Sequence, residues 1–130
     1  MEMDDLKQKS LNARLRKTNL SVLEARDGLV ESFCLTNRTI LESGKLIVKH
    51  DPKACDLDRM TEALAKATFR EAGGDYHMPT LENLYKVKDM LEAKLKLNSR
   101  PQEIYRRHQA ACQQLLEKAS IPVFDHIEKK

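Results

Sequence analysis

The sequence predicts an all-α fold, a four- to five-helix bundle with one long early helix, and three observations lead there. Only 4 Gly and 4 Pro occur in 130 residues. Leu, Ala, Lys, Glu, Arg and Met carry most of the length, and apolar residues recur at steps of three and four through most of it. Hydrophobic residues make up 41% of the chain, enough to fill one core, and a chain of this size is typical of a single domain. Residues 1–5 and 121–130 are expected to be loose tails around that domain.

The early helix is read from the stretch between Leu6 and His50, which contains no Pro. Leu23, Val30, Phe33, Ile40 and Ile47 form its apolar stripe, and Leu29, Cys34, Leu41 and Val48 widen it. Asn37 and Gly44 fall on the same face and interrupt the seam, which argues against a long coiled coil. Thr18-Asn19-Leu20-Ser21 marks a break, because Ser21 followed three residues later by Glu24 has the form of a capping box. The segment is therefore one bent helix or two. A single helix from Ser21 to Lys49 would be roughly 43 Å long and would act as the spine of the fold.

Asp51-Pro52 predicts the start of the next helix, since Asp caps free N–H groups and Pro at the first helical position gives up a bond not made anyway. Its buried face is predicted to carry Leu57, Met60, Leu64, Ala67 and Phe69, and Gly73-Gly74 stops it after Ala72. Thr80 then caps a helix with apolar Leu81, Leu84, Val87, Met90 and Leu91, ending near Asn98. Ser99-Arg100-Pro101 opens the last helix, whose inner side is Ile104, Tyr105, His108, Ala111, Cys112 and Leu115. Glu62/Lys66, Glu82/Lys86, Glu92/Lys96 and Glu103/Arg107, each four apart with the acid first, predict solvated outer faces.

Several function classes find no support. An acidic N-terminus without an apolar run after it is neither a secretory signal nor a transit peptide, and no stretch is long and apolar enough for a membrane span. Three cysteines (Cys34, Cys55, Cys112) at irregular spacing do not make a disulfide framework, so a cytoplasmic chain with reduced thiols is expected. His50 and Cys55 flank one turn and would need His77 and Cys112 to complete a zinc site. Convergence of His50, His77 and His108 would be the most tractable hidden metal or nuclease site. Neither set has ligand spacing in the sequence, and no metal or cofactor is expected. Gly73-Gly74 lacks the Lys-Ser/Thr of a phosphate loop, and no nucleophile elbow occurs. An Arg-to-His pairing of the kind small helical ribonucleases use is not met, because seven residues, Pro101 among them, separate Arg100 from His108.

The formal net charge of +3 is mild, but its distribution is uneven. Leu6 to Leu23 contains Lys7, Lys9, Arg14, Arg16 and Lys17 and no acid. Lys7, Arg14 and Lys17 would share one helix face. Two functions from different classes follow. The first is a non-enzymatic interaction or adaptor protein that presents a helix face to a protein partner or to a second copy of itself, with Leu11, Leu15 and Leu20 as contact positions. The second is nucleic-acid binding through Lys7, Arg14, Lys17, Arg106 and Arg107, although the basic segment lacks the aromatic residues that stack single-stranded bases.

Overall fold

Capping signals and glycines divide the chain into the helices of a bundle. A computed structural model describes residues 2–43 and 54–120. Its elements are α1 (Glu2–Leu15), α2 (Val22–Glu42), α3 (Ala54–Glu71), α4 (Leu81–Lys94), a 3-10 turn (Leu97–Ser99) and α5 (Gln102–Ala119), with no strand among the described residues. The predicted all-α bundle is thus the observed architecture. α1 begins at Glu2, and residues 121–130 lie outside the described residues.

The break before α2 falls where the sequence places it. Ser21 Oγ accepts from Glu24 N at 3.1 Å, and Glu24 Oε1 accepts from Ser21 N at 3.0 Å, which closes the capping box. α2 spans 21 residues, about 31 Å. The longer spine is not traced, because Gly44, Ile47, Val48, His50 and the Asp51-Pro52 start signal lie outside the described residues. Even so, α2 is the hub and packs against α1, α3, α4 and α5. Leu29, Val30, Phe33, Cys34 and Ile40 are buried along it, whereas Leu23 is exposed.

α3 ends as Gly73 and Gly74 require. Gly73 has φ +79, its N–H reaches Arg70 O at 3.1 Å, and Gly74 N–H reaches Phe69 O at 2.9 Å, a paired termination that a residue with a Cβ adopts only under strain. The predicted inner face of α3 needs correcting at Met60, which is 62% exposed. Leu57, Asp58, Thr61, Ala65, Thr68 and Phe69 form the buried face instead. Two of its polar members have partners on α2: Asn37 donates to Thr61 Oγ1 at 2.8 Å, and Arg38 holds Asp58 through Nε–Oδ1 at 3.1 Å and through Nη2–Oδ2. Asn37, which interrupts the apolar seam in sequence, is therefore part of a polar join between two helices.

Arg26 secures the following loop to α2. Its Nη1 donates to Tyr76 O at 2.6 Å, and its guanidinium lies 4.5 Å from the Tyr76 ring centroid. Thr80 caps α4 with Asn83 as its reciprocal partner. Leu84, Val87 and Leu91 are buried on α4, as are Ile104, His108, Cys112, Leu115 and Leu116 on α5. Glu92, predicted on a solvated face, is only 8% exposed. It turns to Lys88 and His108, while Glu62 turns to Lys7.

Candidate functional site

Ion pairs accompany apolar contacts where α1 meets the bundle. Lys7 Nζ lies 3.3 Å from Glu62 Oε2 and 3.8 Å from Asp58 Oδ2 of α3. Arg14 Nη1 lies 2.8 Å from Glu31 Oε1, and its Nη2 lies 3.6 Å from Asp27 Oδ2 of α2. Lys17 pairs with Glu24. Burial disfavours the Lys7 ammonium, but nearby negative groups, Asp58 and Glu62 among them, hold its pKa above the ordinary lysine value. The basic face read from the sequence is thus paired with acids of α2 and α3, while Arg106 and Arg107 are exposed on α5. Leu11 and Leu20, each 5% exposed, are core residues, and Leu15 is partly buried against the same core. Leu20 is enclosed by the fold, whereas Leu11 and Leu15 border a concave space.

Docking α1 in this way leaves a cleft of about 310 Å³ between α1, α2 and α5. Leu11, Leu15, Leu35 and Ile104 supply aliphatic wall, Gln8, Asn12, Thr39 and Gln114 polar lining, and among the described residues Arg107 is the one Arg, Lys, Asp or Glu side chain in it. Ser32, Thr36 and His108 reach it from the core side. Leu11 and Leu15 therefore line a concave site, although they present no free helix face.

His108 is the centre of a buried polar group. Its ring packs on Phe33 with centroids 4.4 Å apart. Glu92 Oε2 lies 3.2 Å from His108 Nε2 and 3.2 Å from Lys88 Nζ, between the two nitrogens. Burial pushes the Glu92 carboxyl up, but the His108 ring and the Lys88 ammonium outweigh it and hold the pKa below the ordinary glutamate value. On the other side, Nδ1 lies 3.0 Å from Ser32 Oγ and 3.3 Å from Thr36 Oγ1. Cys112 Sγ is 3.5 Å from Nε2.

Hydroxyl, imidazole and carboxylate in a row have the order of a nucleophilic relay, but the surroundings do not complete one. Ser32 lies in the middle of α2, where the neighbouring backbone N–H groups bond within the helix. They cannot converge on a developing oxyanion. Burial raises the Cys34 and Cys112 thiols to about 12, so neither is a ready thiolate. This group joins α2, α4 and α5 and sets hydrogen-bonding atoms at the cleft floor.

His77 is exposed beside Tyr76, whereas His108 is enclosed. Among the described residues no group of three or more His, Cys, Asp or Glu is arranged to hold a metal ion. His50 and the Cys55 side chain lie outside the described residues. Among the described residues, no helix is long and apolar enough to cross a membrane.

Sequence reasoning missed Ser32, Thr36, Leu35 and Glu92 as parts of one site. The available signal was polar Ser32, Thr36 and Asn37 on the apolar side of α2, a pattern that asks for buried partners. Compared with protein-family models, with curated proteins and with solved structures, the chain matches none.

Proposed function

We propose that this protein is a non-enzymatic helical interaction module of the cytoplasm that receives a helix from a protein partner in the cleft between α1, α2 and α5. The observation that carries the reading is the cleft itself: aliphatic walls from three helices, a polar rim, and a floor whose hydrogen-bonding groups sit among core residues. A groove of this composition suits the apolar face of an amphipathic helix, with anchors one turn apart. Buried, free Cys34 and Cys112 accord with a reducing compartment. A second copy of the chain is the other occupant that such a groove admits.

The nucleic-acid alternative draws less support, because Lys7, Arg14 and Lys17 face acids within the fold. Arg106 and Arg107 would have to carry it. The test is affinity recovery from the native cell with wild-type protein, Leu15→Arg in the cleft, and Arg106→Glu. The proposal expects a protein partner, retained after nuclease treatment and by Arg106→Glu, and lost with Leu15→Arg. Recovery that is nuclease-sensitive, or indifferent to Leu15→Arg, refutes it.

A further inference from the structure

Two hydroxyls meet one ring nitrogen at the floor of the cleft. Ser32 Oγ and Thr36 Oγ1 both contact His108 Nδ1. That nitrogen offers either one lone pair or one proton. In either case, at least one of the two hydroxyl protons must look for a different acceptor. Elsewhere in the bundle the buried answer is a backbone carbonyl one turn back: Thr39 donates to Leu35 O at 2.9 Å, Thr61 to Leu57 O at 2.8 Å, and Thr68 to Leu64 O at 2.7 Å. Thr36 and Ser32 turn toward the ring instead. Ser32 is the nearer to Nδ1 and also takes the Cys112 thiol at 3.8 Å. Thr36 is thus left with the surplus donor, and it is 8% exposed and lines the cleft.

The rest of the lining has the same polarity. Arg107 brings guanidinium donors, and its side chain forms no ion pair among the described residues. Among the described residues no carboxylate lines the cleft. Gln8 and Asn12 bond to each other at 3.0 Å. Glu103, one turn before Arg107 on α5, is exposed and outside the lining. A site with a surplus buried donor, an available cation and aliphatic walls selects a ligand that is apolar and also carries an anionic acceptor.

On the reading that the cleft docks a partner helix, we infer that the partner is acidic and amphipathic: aliphatic side chains lie against Leu11, Leu15 and Ile104, and one Asp or Glu carboxylate accepts from Thr36 and faces Arg107. Thr36 and Arg107 are then specificity determinants, since a basic helix of equal hydrophobicity would oppose Arg107 and leave the Thr36 proton without an acceptor.

The test uses two dye-labelled synthetic helices with one shared leucine seam, one carrying Glu and the other Lys beside it. Each is titrated with the full chain as wild type, Thr36→Val and Arg107→Glu. Fluorescence anisotropy gives affinity, methyl NMR of Leu11, Leu15, Leu35 and Ile104 reports the place of binding, and circular dichroism checks that each variant is folded. The Glu helix should bind at least about tenfold more tightly than the Lys helix. Thr36→Val should weaken the Glu helix by about tenfold without weakening the Lys helix, and Arg107→Glu should reverse the preference. Equal binding of both helices with the same methyl shifts overturns the acidic partner and leaves the docking reading in place. A Glu preference that survives Thr36→Val overturns the carboxylate seat. Failure of either helix to move the methyl signals overturns the docking reading with it.

Discussion

Replacing Arg38 by Met should destabilise the fold far more than replacing Arg38 and Asp58 together by Met and Leu. The two side chains are 6% and 11% exposed and meet through two parallel contacts, Nε–Oδ1 at 3.1 Å and Nη2–Oδ2. Removing the cation leaves a carboxylate inside the protein, and breaking a buried pair from one side costs about 3–5 kcal/mol. Two features favour the lower end. Lys7 remains 3.8 Å from Asp58, and Met keeps much of the aliphatic stem of Arg. The expected loss is about 3 kcal/mol, which for a chain of this size corresponds to a fall in Tm of about 12 °C. The double substitution removes both charges and should lie within about 1 kcal/mol of wild type. Urea unfolding of wild type, Arg38→Met, Asp58→Leu and the double variant, followed by circular dichroism at 222 nm, closes the cycle. A single substitution that costs less than about 1 kcal/mol, or a double variant no more stable than Arg38→Met alone, would refute the account of how α2 and α3 are joined.

Other outcomes follow from the same contacts. Glu92 has a folded pKa below its ordinary value, so its contribution is complete above that value and is lost as pH falls through the folded one. Between about pH 5 and about pH 3, wild-type Tm should therefore fall more steeply than that of Glu92→Gln, and parallel curves would contradict this. Ser21→Ala removes the side-chain acceptor for Glu24 N and should cost about 1 kcal/mol in urea unfolding. In a Cys55→Ser background, a disulfide reagent should modify Cys34 and Cys112 only at the rate at which the bundle opens, because both are buried with thiols raised to about 12. Fast labelling of the folded protein would contradict their enclosure.

Helix ends were legible in the sequence because their chemistry is local. Ser21 with Glu24, Thr80, and Gly73-Gly74 each act on backbone groups within a few residues. The inner faces of α4 and α5 were legible for a related reason: Leu84, Val87 and Leu91, and Ile104, Cys112 and Leu115, repeat at helical spacing. α3 misled at Met60 because its true inner face carries Asp58, Thr61 and Thr68, and a search for apolar spacing passes over polar residues whose partners sit on other helices, those of Asp58 and Thr61 on α2 and Lys94 of α4 for Thr68. α1 misled for the same reason on a larger scale. The stretch from Leu6 to Leu23 has no acids, so Lys7 and Arg14 read as free charge, whereas Glu62 and Glu31 lie 55 and 17 residues away. Leu11, Leu15 and Arg107 were named from the sequence and line the cleft, but its floor was hidden, since Ser32 and His108 are 76 residues apart and meet only when α2 and α5 pack.

Photo-crosslinking in the native cell tests the cleft most directly. A benzophenone side chain is placed at Gln114, exposed on the lining of the cleft, and separately at Met78, exposed at 77% on the loop between α3 and α4. A discrete protein adduct from position 114, weakened by Arg107→Glu and not formed from position 78, is the predicted result. Adducts from 78 with none from 114, or an adduct at 114 that contains nucleic acid, would contradict the assignment of this cleft to a partner helix.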